Sequence, residues 1–100
     1  MSDSGLQITH QPQPGGGRYL ARIDGEEAAG YLEWEASGAR VRIAAHTVVP
    51  ARLRGRGIAA ALVEQLITDA RADGFRIVPQ CSYVAASFAR HPEWAELRAG

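Results

Sequence analysis

The stretch Val48-Val49-Pro50-Ala51-Arg52-Leu53-Arg54-Gly55-Arg56-Gly57-Ile58-Ala59 concentrates arginine and glycine at a junction where a strand-like segment gives way to a helical repeat. A helix start carries amide groups without intrahelical acceptors and the positive end of the macrodipole. Glycines there let an anion come close to the backbone, so the chemistry expected is the binding of a diphosphate. It is not a nucleoside triphosphate loop, which ends in Gly-Lys-Ser/Thr, and it lacks the three-glycine dinucleotide spacing. Arg52, Arg54 and Arg56 are candidates to surround such an anion, with solvated surface charge as the competing reading. Two further residues carry chemistry. Cys81 is the sole cysteine, so any role it has is that of a thiol, and His46 is an expected base within a strand.

These residues must be positioned by a small set of elements. Strands are expected at Leu6 to His10, Tyr19 to Ile23, Ala28 to Ala36 and Arg40 to Val49, with Asp24-Gly25-Glu26 and Ser37-Gly38 as turns of an antiparallel meander. Gln11 to Gly17, with two prolines and three glycines, reads as a flexible loop. Alternation over Arg40 to Val49 puts Val41, Ile43, Ala45, Thr47 and Val49 on one face and Arg42, Ala44, His46 and Val48 on the other. After Pro50, Ile58, Leu62, Leu66 and Ala70 recur every four residues, with Ala59, Val63 and Ile67 beside them, which predicts a helix that Gly74 ends. Phe75 to Val78 reads as a buried strand parallel to the one ending at Val49, completing a right-handed βαβ unit. Ser82 to Arg90 reads as a short final helix before Pro92. The fold class expected is α/β (α+β), with a mixed, mostly antiparallel sheet. Residues 1–17 form a strand and loop, and residues 18–100 a single domain.

Four blocks in order carry a resemblance. His46-Thr47-x-Val49-Pro50, Leu53-Arg54-Gly55-x-Gly57-Ile58-Ala59, Pro79-x-Cys81 and His91-Pro92-Glu93 together resemble the GCN5-related N-acetyltransferases, and among them the small acetyltransferase-like subfamily with a cysteine near the cofactor. Arg54-Gly55-Arg56-Gly57-Ile58-Ala59 looks like that family's (Gln/Arg)-x-x-Gly-x-(Gly/Ala) motif, and the similarity extends over about Arg18 to Trp94. The resemblance implies a minimal version of the family fold. Its sheet splays between the strands ending at Val49 and near Gln80, with the pantetheine arm of acetyl-coenzyme A in the gap. Backbone groups of Val48 and Val49 would bond the arm, and amides of Arg54, Gly55, Arg56, Gly57, Ile58 and Ala59 the diphosphate.

The implied reaction moves an acetyl group from acetyl-coenzyme A to a primary amine on a small molecule or a protein. The alternative is a low-turnover module that binds coenzyme A as a sensor or for a partner. Members of the broader family often have asparagine near the position of Cys81 and, seven residues later, a tyrosine that can protonate the leaving thiolate; here the second position is Phe88. Cys81 is therefore expected to act as the acid or as a nucleophile, unless the thiolate leaves unassisted. His46 is the expected base for Cys81 or for the incoming ammonium, and direct attack by the amine is preferred. His91 and Glu93 either line the acceptor pocket or mark a rigid helix stop at Pro92. Tyr83 is near enough to Cys81 in sequence to merit a test.

Composition narrows the classes. One hundred residues with 46% hydrophobic content make one core. The 11 basic and 11 acidic residues cancel, and no aromatic ladder flanks the arginines, so nucleic acid and anionic membranes are not expected partners. A single cysteine excludes an internal disulfide and a multi-cysteine zinc site, and no metal is expected. No apolar run approaches the ~18 residues of a membrane span. The Met1-Ser-Asp-Ser-Gly start lacks the pattern of a signal peptide, so a cytoplasmic protein is expected, as a monomer or weak homodimer.

Overall fold

The computed structural model describes residues 5–99. The start at Met1 and the first four residues of the expected 1–17 unit lie outside the described residues. Five strands, β1 (Leu6–Gln13), β2 (Gly16–Ile23), β3 (Ala29–Ala36), β4 (Val41–Val48) and β5 (Arg76–Pro79), form one sheet in the order β1-β2-β3-β4-β5. All neighbours are antiparallel except β4 and β5, which are parallel and joined by helix α1 (Ile58–Asp73). Helix α2 (Ser82–Arg90) and a 3-10 segment (Pro92–Leu97) follow, and a 3-10 turn (Ala51–Leu53) precedes α1. The architecture is α+β with a mixed sheet, as the residue pattern predicts.

One face of the sheet holds the core. Tyr19, Ala21, Leu32, Trp34, Ala44 and Ile77 point to it and meet Ile58, Leu62, Val63, Leu66 and Ile67 of α1 and Val84 and Phe88 of α2. The period-four stripe of α1 is thus the buried one, and Gly74 ends the helix in a left-handed conformation (φ 79°), its amide donating to the Ala70 carbonyl. On the other face Arg18, Leu20, Tyr31, Glu33 and Ile43 stay partly exposed. No helix among the described residues is long and apolar enough to cross a membrane.

Two expectations fail here, each for a physical reason. The segment Gln11 to Gly17 is not a flexible loop but the tip of a hairpin, with Pro12 opposite Gly17 and Gln13 opposite Gly16. Pro12 is tolerated because β1 is an edge strand, where a missing amide costs no ladder bond. Gly16 and Gly17 are buried because β2 crosses directly against Trp34: a Cβ on Gly17 would lie 2.8 Å from the indole.

The second failure is the alternation along β4. Glu33 pairs with His46 but Trp34 pairs with Ala44, so Ala45 is an extra residue, a β-bulge. The bulge flips the faces beyond it. Arg42 and Ala44 point to the core side, while His46 and Val48 point away, and Thr47 takes the core side opposite Leu32.

Candidate functional site

The junction from β4 to α1 leaves a row of backbone donors unspent. The 3-10 turn uses the amides of Leu53 and Arg54, which donate to Pro50 and Ala51 at 2.9 and 3.2 Å. The next backbone bond is from Ala61 to the Gly57 carbonyl at 3.0 Å, so among the described residues the amides of Gly55 to Ala60 donate to no backbone carbonyl. Gly55 and Gly57 both adopt left-handed backbone, φ 82° and 75°, and a Cβ on either would meet nothing within 4 Å. Gly57 is the N-cap of α1 and has no side chain to cap with, and the first turn holds no acidic residue. The turn is open: a cavity of about 220 Å³ lies over it, walled by Val49, Leu53, Arg54, Ile58 and, from α2, Tyr83. Gly30 of β3 seats the helix start, since a Cβ there would come within 3.0 Å of Ile58.

The second part of the site is a gap in the sheet. Pairing of β4 with β5 ends at Ala44 opposite Pro79, and the Cys81 amide adds one last bond to the Ala44 carbonyl at 2.8 Å. The Gln80 amide folds back onto the Val78 carbonyl at 2.9 Å, which turns the chain away from β4. Ala45 to Val48 therefore run on without a strand partner on the β5 side, and the sheet splays where the resemblance implies. Val48 is 41% exposed at this edge, and the Val49 carbonyl accepts a 3.3 Å bond from Arg54 Nε.

Cys81 caps the start of α2 at the mouth of the gap. Its Sγ lies 3.5 Å from Thr47 Oγ1. Partial burial disfavours the thiolate, but hydrogen bonding from the Thr47 hydroxyl and from the backbone at Val84, Tyr83 and Thr47 outweighs it, so the thiol pKa falls below its ordinary value. His46 is not brought to Cys81. The bulge sends its exposed ring to the opposite face, beside Glu33, where it lines a separate cavity of about 240 Å³ with Glu35 and Gly17.

The three arginines differ in their partners. The Arg54 guanidinium hydrogen-bonds the Val49 carbonyl, whereas Arg52 Nε and Arg56 Nη2 approach Glu26 at 3.4 and 3.5 Å. Phe88 is buried edge-on against Trp94. His91 stacks on Trp94 at 4.0 Å and its Nδ1 lies 2.9 Å from Glu93, whose carbonyl accepts from Arg71 in the last turn of α1. His91 and Glu93 thus pack with Trp94 near the last turn of α1, the end opposite the open turn, where they form a helix stop.

Thr47 and Glu26 were missed by sequence reasoning. Thr47 stood in a matched block but on the face that unbroken alternation assigns away from His46. Glu26 read only as part of a turn, and nothing local signals its contact with residues far along the chain.

Residues 18–97 match the model of a family described as GCN5-related N-acetyl-transferase. The matched span contains the open turn, the splayed gap and Cys81, and excludes most of the β1 hairpin.

Proposed function

This chain belongs to the GCN5-related N-acetyltransferase family, and from that premise we propose that it transfers an acetyl group from acetyl-coenzyme A to a primary amine, on a small molecule or a protein. The observation that carries the reading is the run of unspent amides at Gly55 to Ala60 opening into an unplugged cavity. Those residues fit a diphosphate. The glycine backbone admits close approach and the α1 dipole favours negative charge, with Arg54 the arginine on hand to reach it. The edge of β4 up to Val48, without a strand partner on the β5 side, suits an extended arm bearing amide groups of its own. Acetyl-coenzyme A supplies an activated thioester when bound.

The chain's own residues then orient and move protons. An amine held at the gap needs only to give its proton to water and to align with the thioester, which makes direct attack the simplest route. In this reading Cys81 gives a proton to the departing thiolate, and its 3.5 Å contact with Thr47 supports the role by favouring the anion left behind. A nucleophilic role for Cys81 finds no base in His46, which faces the other way. The unpaired thiol fits a reducing, cytoplasmic setting.

A second reading, a coenzyme-A-binding module of low turnover, is favoured by the burial of Phe88 where related enzymes have a proton-donating tyrosine. Titration of coenzyme A against backbone amide shifts tests both readings. Responses confined to Gly55 to Ala60 and the β4 edge support them, and no response there overturns them. Thiol release across an amine panel then separates enzyme from module.

A further inference from the structure

Glu26 occupies an unusual position for a turn residue. Its side chain is 19% exposed, and Oε1 is buried without accepting a hydrogen bond from any described residue. Its neighbours are two guanidinium groups at 3.4 and 3.5 Å, Arg52 before the open turn and Arg56 between the turn's two glycines. Both contacts are ion pairs at a length where hydrogen bonding is poor. Both arginines keep much of their surface in water, at 70% and 46%. A carboxylate so enclosed needs a cationic neighbour, while the arginines around it are only loosely engaged.

We propose that Glu26 is the resident counter-ion of the anion-binding turn, an affinity-setting residue that offsets the positive field of Arg52 and Arg56 and so weakens the grip on the nucleotide end of coenzyme A. This rests on the reading of the turn as a diphosphate site. The chemistry it recognises is multiply charged phosphate, not the neutral arm. By sharing Arg52 and Arg56 with any incoming phosphate, Glu26 keeps the bound anion exchangeable, which favours release of coenzyme A after transfer.

The test is calorimetric titration of the full chain and of Glu26→Gln with coenzyme A, 3′-dephospho-coenzyme A and uncharged pantetheine, at low and high salt. One unit charge about 7 Å from another in water changes an equilibrium about threefold, and a ligand carries several phosphate charges. Glu26→Gln is expected to bind coenzyme A about three- to tenfold more tightly at low salt, with a smaller gain for the dephospho form and none for pantetheine. The gain should largely vanish near 1 M salt, where the screening length is about 3 Å. Arg56→Gln provides the opposite arm, with weaker binding and a shallower salt dependence.

Coenzyme A bound equally or more weakly by a folded Glu26→Gln protein overturns the counter-ion role and leaves the diphosphate site standing. A gain that extends to pantetheine also overturns it, since that reports a change of shape and not of charge. Absence of coenzyme A binding by the parent overturns the site and the inference together.

Discussion

Replacement of Gly57 by alanine separates the conformational duty of the open turn from its binding duty. Gly57 sits at φ 75°, and an added Cβ meets no atom within 4 Å, so no clash contributes. The cost to the fold is that of a left-handed L-residue alone, roughly 1–2 kcal/mol. For a domain of this size that lowers the midpoint of thermal unfolding by roughly 4–8 °C for each kcal/mol. Gly38, in the turn between β3 and β4, has the same conformation (φ 76°) and the same empty surroundings, so Gly38→Ala is the matched control. Both variants are expected to lose about the same stability in chemical and thermal denaturation. They should differ in coenzyme A titration. The methyl group of Gly57→Ala stands at the wall of the cavity beside the unspent amides, and a loss of about tenfold in affinity, roughly 1.4 kcal/mol, is expected. Gly38→Ala should bind as the parent does. Equal affinities in all three proteins, with both variants folded, would show that the amides at the α1 start are not where the anion sits.

Three further outcomes follow from the same geometry. Thr47→Val removes the hydroxyl beside Cys81, so the thiol pKa should rise and alkylation by iodoacetamide near neutral pH should slow, and an unchanged pH profile would contradict the contact at 3.5 Å. His10 accepts a 3.1 Å bond from Trp34 Nε1 and stacks on Tyr19, and burial, then Arg42, lowers its pKa against the opposing Asp69 and Asp73. Its contribution to stability is therefore present above the ordinary histidine pKa, about 6.5, and is lost as pH falls through the lower folded-state value. Denaturation midpoints followed by tryptophan fluorescence should show this slope in the parent and a flatter one in His10→Phe. Gly17→Ala places a methyl 2.8 Å from the Trp34 ring and should cost roughly 1–3 kcal/mol by overpacking. A substitution without effect would restore the flexible-loop reading of Gln11 to Gly17.

Local pattern was enough for most of the elements. The four-residue repeat from Ile58 to Ala70 specified both the α1 helix and its buried side, because one stripe of a helix must leave water. Pro50, Gly57 and Gly74 marked its limits through backbone preferences that need no distant partner. The same is true of the anion-binding turn, whose glycines act through conformations available to each residue singly.

What the sequence by itself determined is therefore the set of helices and strands, the parallel crossover, and the place where unspent amides gather. Tertiary structure decided which side chains meet there. A single bulged residue, Ala45, carries His46 away from Cys81 and brings Thr47 to it, and alternation counted along a strand has no means of registering an insertion that only pairing with β3 reveals. The contact of Glu26 with Arg52 and Arg56, and the closure of Gly17 over Trp34, arise between segments apart in the chain, where the geometry of the packed sheet rather than local preference selects the partner.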